Sequence, residues 1–308
     1  MREPPAPSCF MMLPVFYHPL YSSLDLPAGH RFPLQKYQAL YHALRSYPVD
    51  IRTAQPATLA QLLRVHEPQY VEDLLCGTLP TPILRRIGFP WSHQLIERTL
   101  HSVGATIEAA RMACQQGCAL QISGGYHHAH YAMGSGFCLF NDLVIAAQAM
   151  LDEAHCSQVL IIDLDVHQGD GSASLCAGRR DIITLSLHAE RNFPSRKCDS
   201  HLDVALPDGM DDRGYLETLD EALAVAFRLC SPDLILYQAG VDIHQGDELG
   251  YLAISSQGIR LRDRAVLMAA KTRGIPIACV AGGGYRRDWQ ALIPLHLMLF
   301  EEANACFG

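Results

Sequence analysis

A single α/β domain built on a parallel sheet flanked by helices is the fold class the chain predicts, and two observations carry it. Short apolar runs alternate with longer amphipathic segments, which is the strand-helix-strand signature of a parallel sheet covered on both faces. Polar motifs begin abruptly where several apolar runs stop, and in such sheets sites form outside the carboxyl ends of the strands. In chain order, strands are expected at 13–17, 49–53, 119–122, 159–163, 182–186, 234–238 and 277–281. Helices are expected between and around them, at 34–46, 58–66, 69–76, 93–116, 141–155, 212–229, 257–273 and 287–303. No internal repeat or low-complexity linker divides the chain, so 13–308 reads as one domain and 1–12 as a poorly ordered N-terminal extension.

Composition narrows the function. A chain of 308 residues with 49% hydrophobic content can bury a large core. A net charge of -8 with no run of Lys or Arg leaves no footprint for nucleic acid. The longest apolar stretches, 222–227 and 276–281, are far short of a membrane span. The Pro-rich start lacks the basic and apolar regions of a signal peptide, so a cytoplasmic location is expected. The 11 cysteines include no Cys-x-x-Cys pair, which argues for reduced thiols over a disulfide framework or a thiolate zinc knuckle.

The most informative stretch runs from Ile161 to Gly171 (IIDLDVHQGDG). Val159 to Ile162 have the continuous apolar character of a strand buried on both faces. If the strand continues, Asp165 and His167 point to the same side and can converge on one cation, with Asp163 behind them. Gly169 and Gly171 suit a tight turn into a helix. Three other strand ends add Gly124-Gly125-Tyr126-His127-His128, Ala239-Gly240-Val241-Asp242 and Gly282-Gly283-Gly284-Tyr285. Asp165, His167 and Asp242 would then be three protein ligands, leaving positions open for water and a substrate carbonyl. Two carboxylates and one imidazole suit Zn²⁺ or Fe²⁺. The His127-His128 pair is placed to move protons, with Asp163 and Asp170 as orienting acids, and Tyr285 to donate to a developing oxyanion.

These motifs, with Gly136-Phe137-Cys138, Asn141-Asp142 and Asp247-Glu248-Leu249-Gly250, resemble the histone deacetylase superfamily in order and spacing from about Tyr17 to the C-terminus. The resemblance implies the arginase/deacetylase fold with an eight-stranded parallel sheet, and Zn²⁺ on Asp165, His167 and Asp242. It implies His128 paired with Asp170 as general acid/base, and a mainly electrostatic His127 paired with Asp163. Phe137 and Phe193 would be the aromatic walls of an acyl-lysine tunnel completed by Gly136 and Leu249, with Gly283 also at the substrate. A K⁺ or Na⁺ site is implied at Asp163, Ser186 and Leu187. The short length, Tyr17-His18-Pro19 and Gly29-His30-Arg31-Phe32-Pro33 are similar to the class IV and bacterial branch, which implies a bacterial source.

The expected activity is removal of an acyl group, acetyl first, from an acyl-lysine protein or peptide or from a small acylated amine. Many peptide-directed members carry an acidic rim residue that clamps the substrate backbone, whereas this chain has no Asp or Glu between Asp73 and Glu97. Long-chain fatty-acyl-lysines and acetylpolyamines therefore stay open as substrates. A ureohydrolase of the same fold would need a further aspartate where Gly169 stands, and an inactive acyl-lysine-binding protein would not need the His pair or Tyr285. The pairs Arg85-Arg86, Arg179-Arg180 and Arg286-Arg287 read as solvated surface, and Cys138 as a packing thiol.

Overall fold

The computed structural model describes residues 12–308, so the extension expected at 1–12 lies, apart from Met12, outside the described residues. Eight strands form one sheet: β1 (Leu13–Phe16), β2 (Val49–Arg52), β3 (Cys118–Gln121), β4 (Val159–Asp163), β5 (Ile182–Ala189), β6 (Leu202–Leu206), β7 (Leu234–Gln238) and β8 (Ile277–Val280). All pairings are parallel, in the order β2-β1-β3-β8-β7-β4-β5-β6. Among the described residues, ten α-helices connect and cover the strands: α1 (Lys36–Leu44), α2 (Leu59–Leu63), α3 (Pro68–Cys76), α4 (Thr81–Ile87), α5 (His93–Gln116), α6 (Asp142–Asp152), α7 (Asp170–Leu175), α8 (Asp212–Leu229), α9 (Ser256–Arg273) and α10 (Ile293–Phe307).

The strands β4 and β7 are buried along their whole length, because helices cover both faces, and that is why they are apolar without alternation. Four neighbouring central strands, β3, β8, β7 and β4, are the ones followed by the polar motifs. Their carboxyl ends therefore lie side by side. Helix starts are fixed locally: Ser92, Asn141, Asp211 and Ser255 each accept a backbone N–H at the head of α5, α6, α8 and α9.

Three local departures from the sequence reading have physical causes. The unexpected eighth strand, β6, is a five-residue edge strand whose burial alternates along Leu-Asp-Val-Ala-Leu, so it has no continuous apolar run to reveal it. The unexpected helix α4 begins at Thr81-Pro82, which reads as a loop, but proline is tolerated in the first turn, where its missing N–H would be unsatisfied anyway. By the same rule Pro294 starts α10 in its first turn, so the helix expected at 287–303 begins later, after a short 3₁₀ turn at Trp289–Leu292. The ten described cysteines are all free, and no described helix is long and apolar enough to cross a membrane.

His66 shows how the frame is tied to the site. Its Nδ1 lies 2.9 Å from the His130 carbonyl and its Nε2 accepts the Asn141 N–H at 3.0 Å, so the neutral ring satisfies both neighbours. Burial lowers its pKa to about 4, since protonation would set two donors facing each other at Nε2. The folded value lies below the unfolded one of about 6.5, so this stabilisation is complete above pH 6.5 and is lost as pH falls toward 4. Urea unfolding should show roughly 3 kcal/mol of pH-dependent stability from this ring over that window. His66→Gln, which keeps a donor and an acceptor but cannot titrate, should have a flatter slope; an unchanged slope would remove His66 as its source.

Candidate active site

Asp142, the first residue of α6, builds the turn after β3. Its buried carboxylate accepts the N–H groups of Gly125 at 3.0 Å and Tyr126 at 2.7 Å and the Thr106 hydroxyl at 2.6 Å. The next two residues, His127 and His128, are thereby aimed across the edge of the sheet. His127 Nδ1 lies 2.6 Å from Asp163 Oδ2, and His128 Nδ1 lies 2.6 Å from Asp170 Oδ1. A third imidazole that the sequence reading did not single out, His130, bridges Asp170 at 3.1 Å and Ser174 at 2.7 Å.

The expectation that Asp165 and His167 share one side of a strand is corrected. β4 ends at Asp163, and both residues lie in the bend that follows. They converge because the bend is hydrogen-bonded on itself: Asp165 Oδ1 accepts the His167 N–H at 3.1 Å and lies 3.0 Å from His167 Nδ1. Asp242, beyond β7, accepts the Val166 N–H at 3.0 Å through Oδ1. Its Oδ2 is buried without a hydrogen bond, 3.3 Å from His167 Nδ1.

One ligand-capable atom from each of Asp165, His167 and Asp242 lies within 4.8 Å of the others. Burial and the neighbouring Asp165 carboxylate push Asp242 up. Burial would lower His167, but Asp165 and Asp242 outweigh it and hold the imidazole up to about 10. An orphaned carboxylate oxygen and two acids sharing one imidazole form a donor set short of positive charge, and a divalent cation fits it. These three residues could therefore hold a metal ion.

The two tandem imidazoles are driven apart. Burial lowers His127, yet Asp163 and Asp165 prevail and raise it to about 9. His128 is lowered to about 4 by burial and by the charge on His127. Burial opposes ionisation of Asp170, but hydrogen bonds from His128 and His130 hold its carboxyl below the usual range. Near neutral pH this makes His127 a cation and His128 a neutral ring. Since the Asp170 carboxylate can only accept, Nδ1 of His128 donates to it and Nε2 is left free to accept.

An outer cavity of about 340 Å³ reaches His128, His167 and Tyr285 from the surface, and Gly136, Phe137, Phe193 and Leu249 form its walls. Gly136 has φ of +52°, and a Cβ there would stand 2.6 Å from the His128 ring, so the position requires glycine twice over. Phe137 also has a positive φ, 65°, a strained conformation for a bulky residue at the wall of a cavity. Gly283, expected at the substrate, is not among the residues that line this cavity. It lines a separate inner cavity of about 20 Å³, and a Cβ on it would meet Asp242 Oδ2 at 2.2 Å and Asp165 Oδ2 at 2.5 Å. Ser186 pairs in register with Asp163 on the neighbouring strand β5, with Leu187 buried next to it. Cys138 is buried and its thiol is held well above the ordinary range by that burial, as suits packing.

Four further residues support this centre, of which only Asp247 lay within a quoted motif. Gln238 donates to Asp165 Oδ2 at 2.6 Å and accepts the Gly240 N–H at 2.6 Å, joining the ends of β4 and β7. Arg262 on α9, fully buried and paired with Asp263 at 2.8 Å, donates to the carbonyls of Gly240, Ala239 and Leu164. Asp247 accepts the N–H groups of Tyr285 at 2.7 Å and Leu249 at 2.9 Å. Lys36 is buried with its ammonium on the Gly282 carbonyl at 3.1 Å; burial lowers its pKa to about 8 against the pull of Asp242, Asp247 and Asp165. The only signal for Gln238 was its place as the last residue of an apolar strand; Asp247 stood in a quoted motif, and Arg262 and Lys36 had no signal, since the carbonyls they bind are distant in sequence. Among the arginine pairs, Arg179 binds Asp181 and Arg287 binds Glu248 as surface residues do; Arg86 is exposed too but borders the outer cavity, and the half-buried Arg286 borders a neighbouring one.

An eight-stranded parallel α/β domain with a metal-competent Asp-His-Asp centre and two His–Asp pairs at its carboxyl edge is the class that fold and site define. The chain belongs to the histone deacetylase family: residues 30–295 match the model of the histone deacetylase domain. It is 43% identical to an uncharacterized protein of Picosynechococcus over 298 residues, covering 96% of this chain and 99% of that one. It is 34% identical to histone deacetylase 2 of Arabidopsis thaliana over 243 residues, and 27% identical to histone deacetylase RPD3 of Saccharomyces cerevisiae over 285. The matches cover 75% and 84% of this chain but only 62% and 64% of those two deacetylases.

Proposed function

We propose that the chain is an amidohydrolase that removes an acyl group, acetyl foremost, from lysine side chains or related amines. The observation that carries this reading is that His167 of the Asp165-His167-Asp242 centre, His128 and Tyr285 all line one cavity with aromatic and apolar walls. Family membership supports the reaction class. A divalent ion on the three ligands, Zn²⁺ or alternatively Fe²⁺, supplies Lewis acidity that polarises the acyl carbonyl and lowers the pKa of water.

The protein's own groups account for binding and proton movement. Methylenes of the amine stem lie between Phe137 and Phe193, held by apolar burial that is non-directional. Nε2 of His128 accepts the proton of the attacking water and later delivers it to the departing amine nitrogen as the carbon–nitrogen bond breaks. His127, held on Asp163 beside the centre, serves mainly to stabilise charge. The Tyr285 hydroxyl stays protonated, because burial and the charges of Asp165 and Asp242 push its pKa well up, and so can donate to the oxyanion. A K⁺ or Na⁺ at Asp163, Ser186 and Leu187 would support the β4–β5 end from behind.

Two rival readings fare worse. A two-metal ureohydrolase would need a carboxylate at Gly169, where even a Cβ would stand 2.2 Å from Asp163 Oδ2. Mere acyl-lysine binding leaves the two His–Asp pairs and the neutral His128 without purpose.

One metal ion per chain is expected. Asp165→Ala, His167→Ala and Asp242→Ala should each lose it together with hydrolysis, because each removes one of three protein ligands; elemental analysis showing full metal content in these variants would reject the centre.

Proton transfer is tested separately. His128→Ala should keep the metal and lose roughly 10²-fold or more in kcat, the scale of general acid–base catalysis. Tyr285→Phe should lose roughly 2.7–4 kcal/mol of transition-state stabilisation in kcat, as for other oxyanion donors, while still binding a hydroxamate. Saturating turnover close to wild type in either variant would remove that residue from the mechanism.

A further inference from the structure

Arg86 lines the mouth of the outer cavity, and nothing in the proposed chemistry uses its charge. We infer that Arg86 selects substrates carrying a carboxylate at the outer end of the amine stem, as in an Nε-acyl-lysine whose α-carboxylate is free. The inference rests on the amidohydrolase reading and narrows its substrate class.

The position of Arg86 is fixed relative to the tunnel wall. It stands in the last turn of α4, its carbonyl accepts the Gly136 N–H at 3.3 Å, and the carbonyl of the next residue, Ile87, accepts the Phe137 N–H at 2.7 Å. The wall that grips the stem and the helix end that carries the guanidinium are thus one hydrogen-bonded unit. The side chain is exposed, and no Asp or Glu occurs in 74–96 to neutralise it from its own segment. Acids elsewhere around the site already have partners: Glu248 binds Arg31 at 3.0 Å and Arg287 at 3.3 Å, Asp208 binds Arg191 at 3.0 Å, and both oxygens of Asp247 accept backbone N–H groups.

Another polar wall residue, Asn192, is occupied in holding the Leu249–Tyr251 segment, donating to the Leu249 carbonyl and accepting the Tyr251 N–H. Among the described residues lining this cavity, Arg86 is the only Lys, Arg, Asp or Glu. A planar guanidinium matches a carboxylate in two-pronged geometry, and it repels the free ammonium of an acetylated polyamine. Placement at the end of the stem tunnel puts that preference on the part of the substrate that stays outside.

The test compares kcat/KM for Nα-capped Nε-acetyl-lysine with a free α-carboxylate, for its carboxamide and for a monoacetylated diamine, with wild type, Arg86→Gln and Arg86→Glu. Wild type should favour carboxylate over carboxamide by roughly three- to tenfold, mostly through KM, and the ratio should shrink as salt screens the pair. Arg86→Gln should bring the ratio close to one, and Arg86→Glu should reverse it and raise relative activity on the diamine. A peptide arm, with Glu or Gln beside the acetyl-lysine, separates sources: a response confined to the peptides overturns the small-carboxylate assignment in favour of an acidic peptide. Equal hydrolysis of carboxylate and carboxamide by all three proteins overturns the role of Arg86 and leaves the amidohydrolase intact. Failure of wild type to hydrolyse any of these substrates rejects the amidohydrolase reading, and the inference with it.

Discussion

Asp165 and Asp242 are buried together at the ends of the neighbouring strands β4 and β7, and two carboxylates in a low-dielectric interior cannot both stay ionised unless something nearby compensates. Much of the surrounding structure supplies that compensation. Asp165 receives the Gln238 amide and the N–H groups of His167 and Gly283, and Asp242 receives the Val166 N–H. Those donors occupy three of the four carboxylate oxygens. The fourth, Asp242 Oδ2, faces His167 with no hydrogen bond, and it is this residual imbalance that makes a cation the natural complement of the three side chains.

Holding such a centre needs the strand ends to be rigid, and the fold spends buried polar groups on that. Arg262 reaches from α9 to the carbonyls after β4 and β7, satisfying acceptors in the very loops that carry the metal-competent aspartates. A buried guanidinium is costly unless paired, and Asp263, itself bonded to the Tyr237 hydroxyl at 2.6 Å, provides the partner. Asp142 does the same for the turn after β3, and Asp247 for the backbone of Tyr285. Each of these residues acts on the chemistry through a main-chain segment.

The adjacent imidazoles His127 and His128 show how little the residue type decides. Both are buried and both carry an aspartate on Nδ1, but His127 also faces Asp165, and His128 faces a neighbour that is already charged. One is thereby held as a cation and the other as a neutral acceptor. Two equivalent side chains acquire separate roles from environment, the same logic that separates paired acids and bases in other hydrolytic sites. The aromatic cavity that His128 lines belongs to a different level of design: its walls come from the loops that carry Gly136-Phe137 and Phe193, while Arg86 at its lining is carried by a helix outside the sheet.

Much of this was legible in the chain. Buried parallel strands must be apolar throughout and must end where polar chemistry begins, so Val159–Asp163 and Leu234–Gln238 announce both themselves and the residues that follow them. The pairings His127–Asp163 and His128–Asp170 accord with the family pattern for the same reason, since each partner lies within a few residues of a strand end. Tertiary structure decided the rest. Whether Asp165 and His167 meet through a strand face or a bend depends on where β4 stops, which is set by its pairing with β5 and β7. Whether Arg86 is solvent-facing ornament or the rim of a cavity depends on α4 docking against the Gly136-Phe137 turn, about fifty residues away. Local sequence determines which side chains reach the edge of the sheet, but contacts between distant segments determine their charge, their partners and what they face, because burial and electrostatics are properties of the assembled neighbourhood.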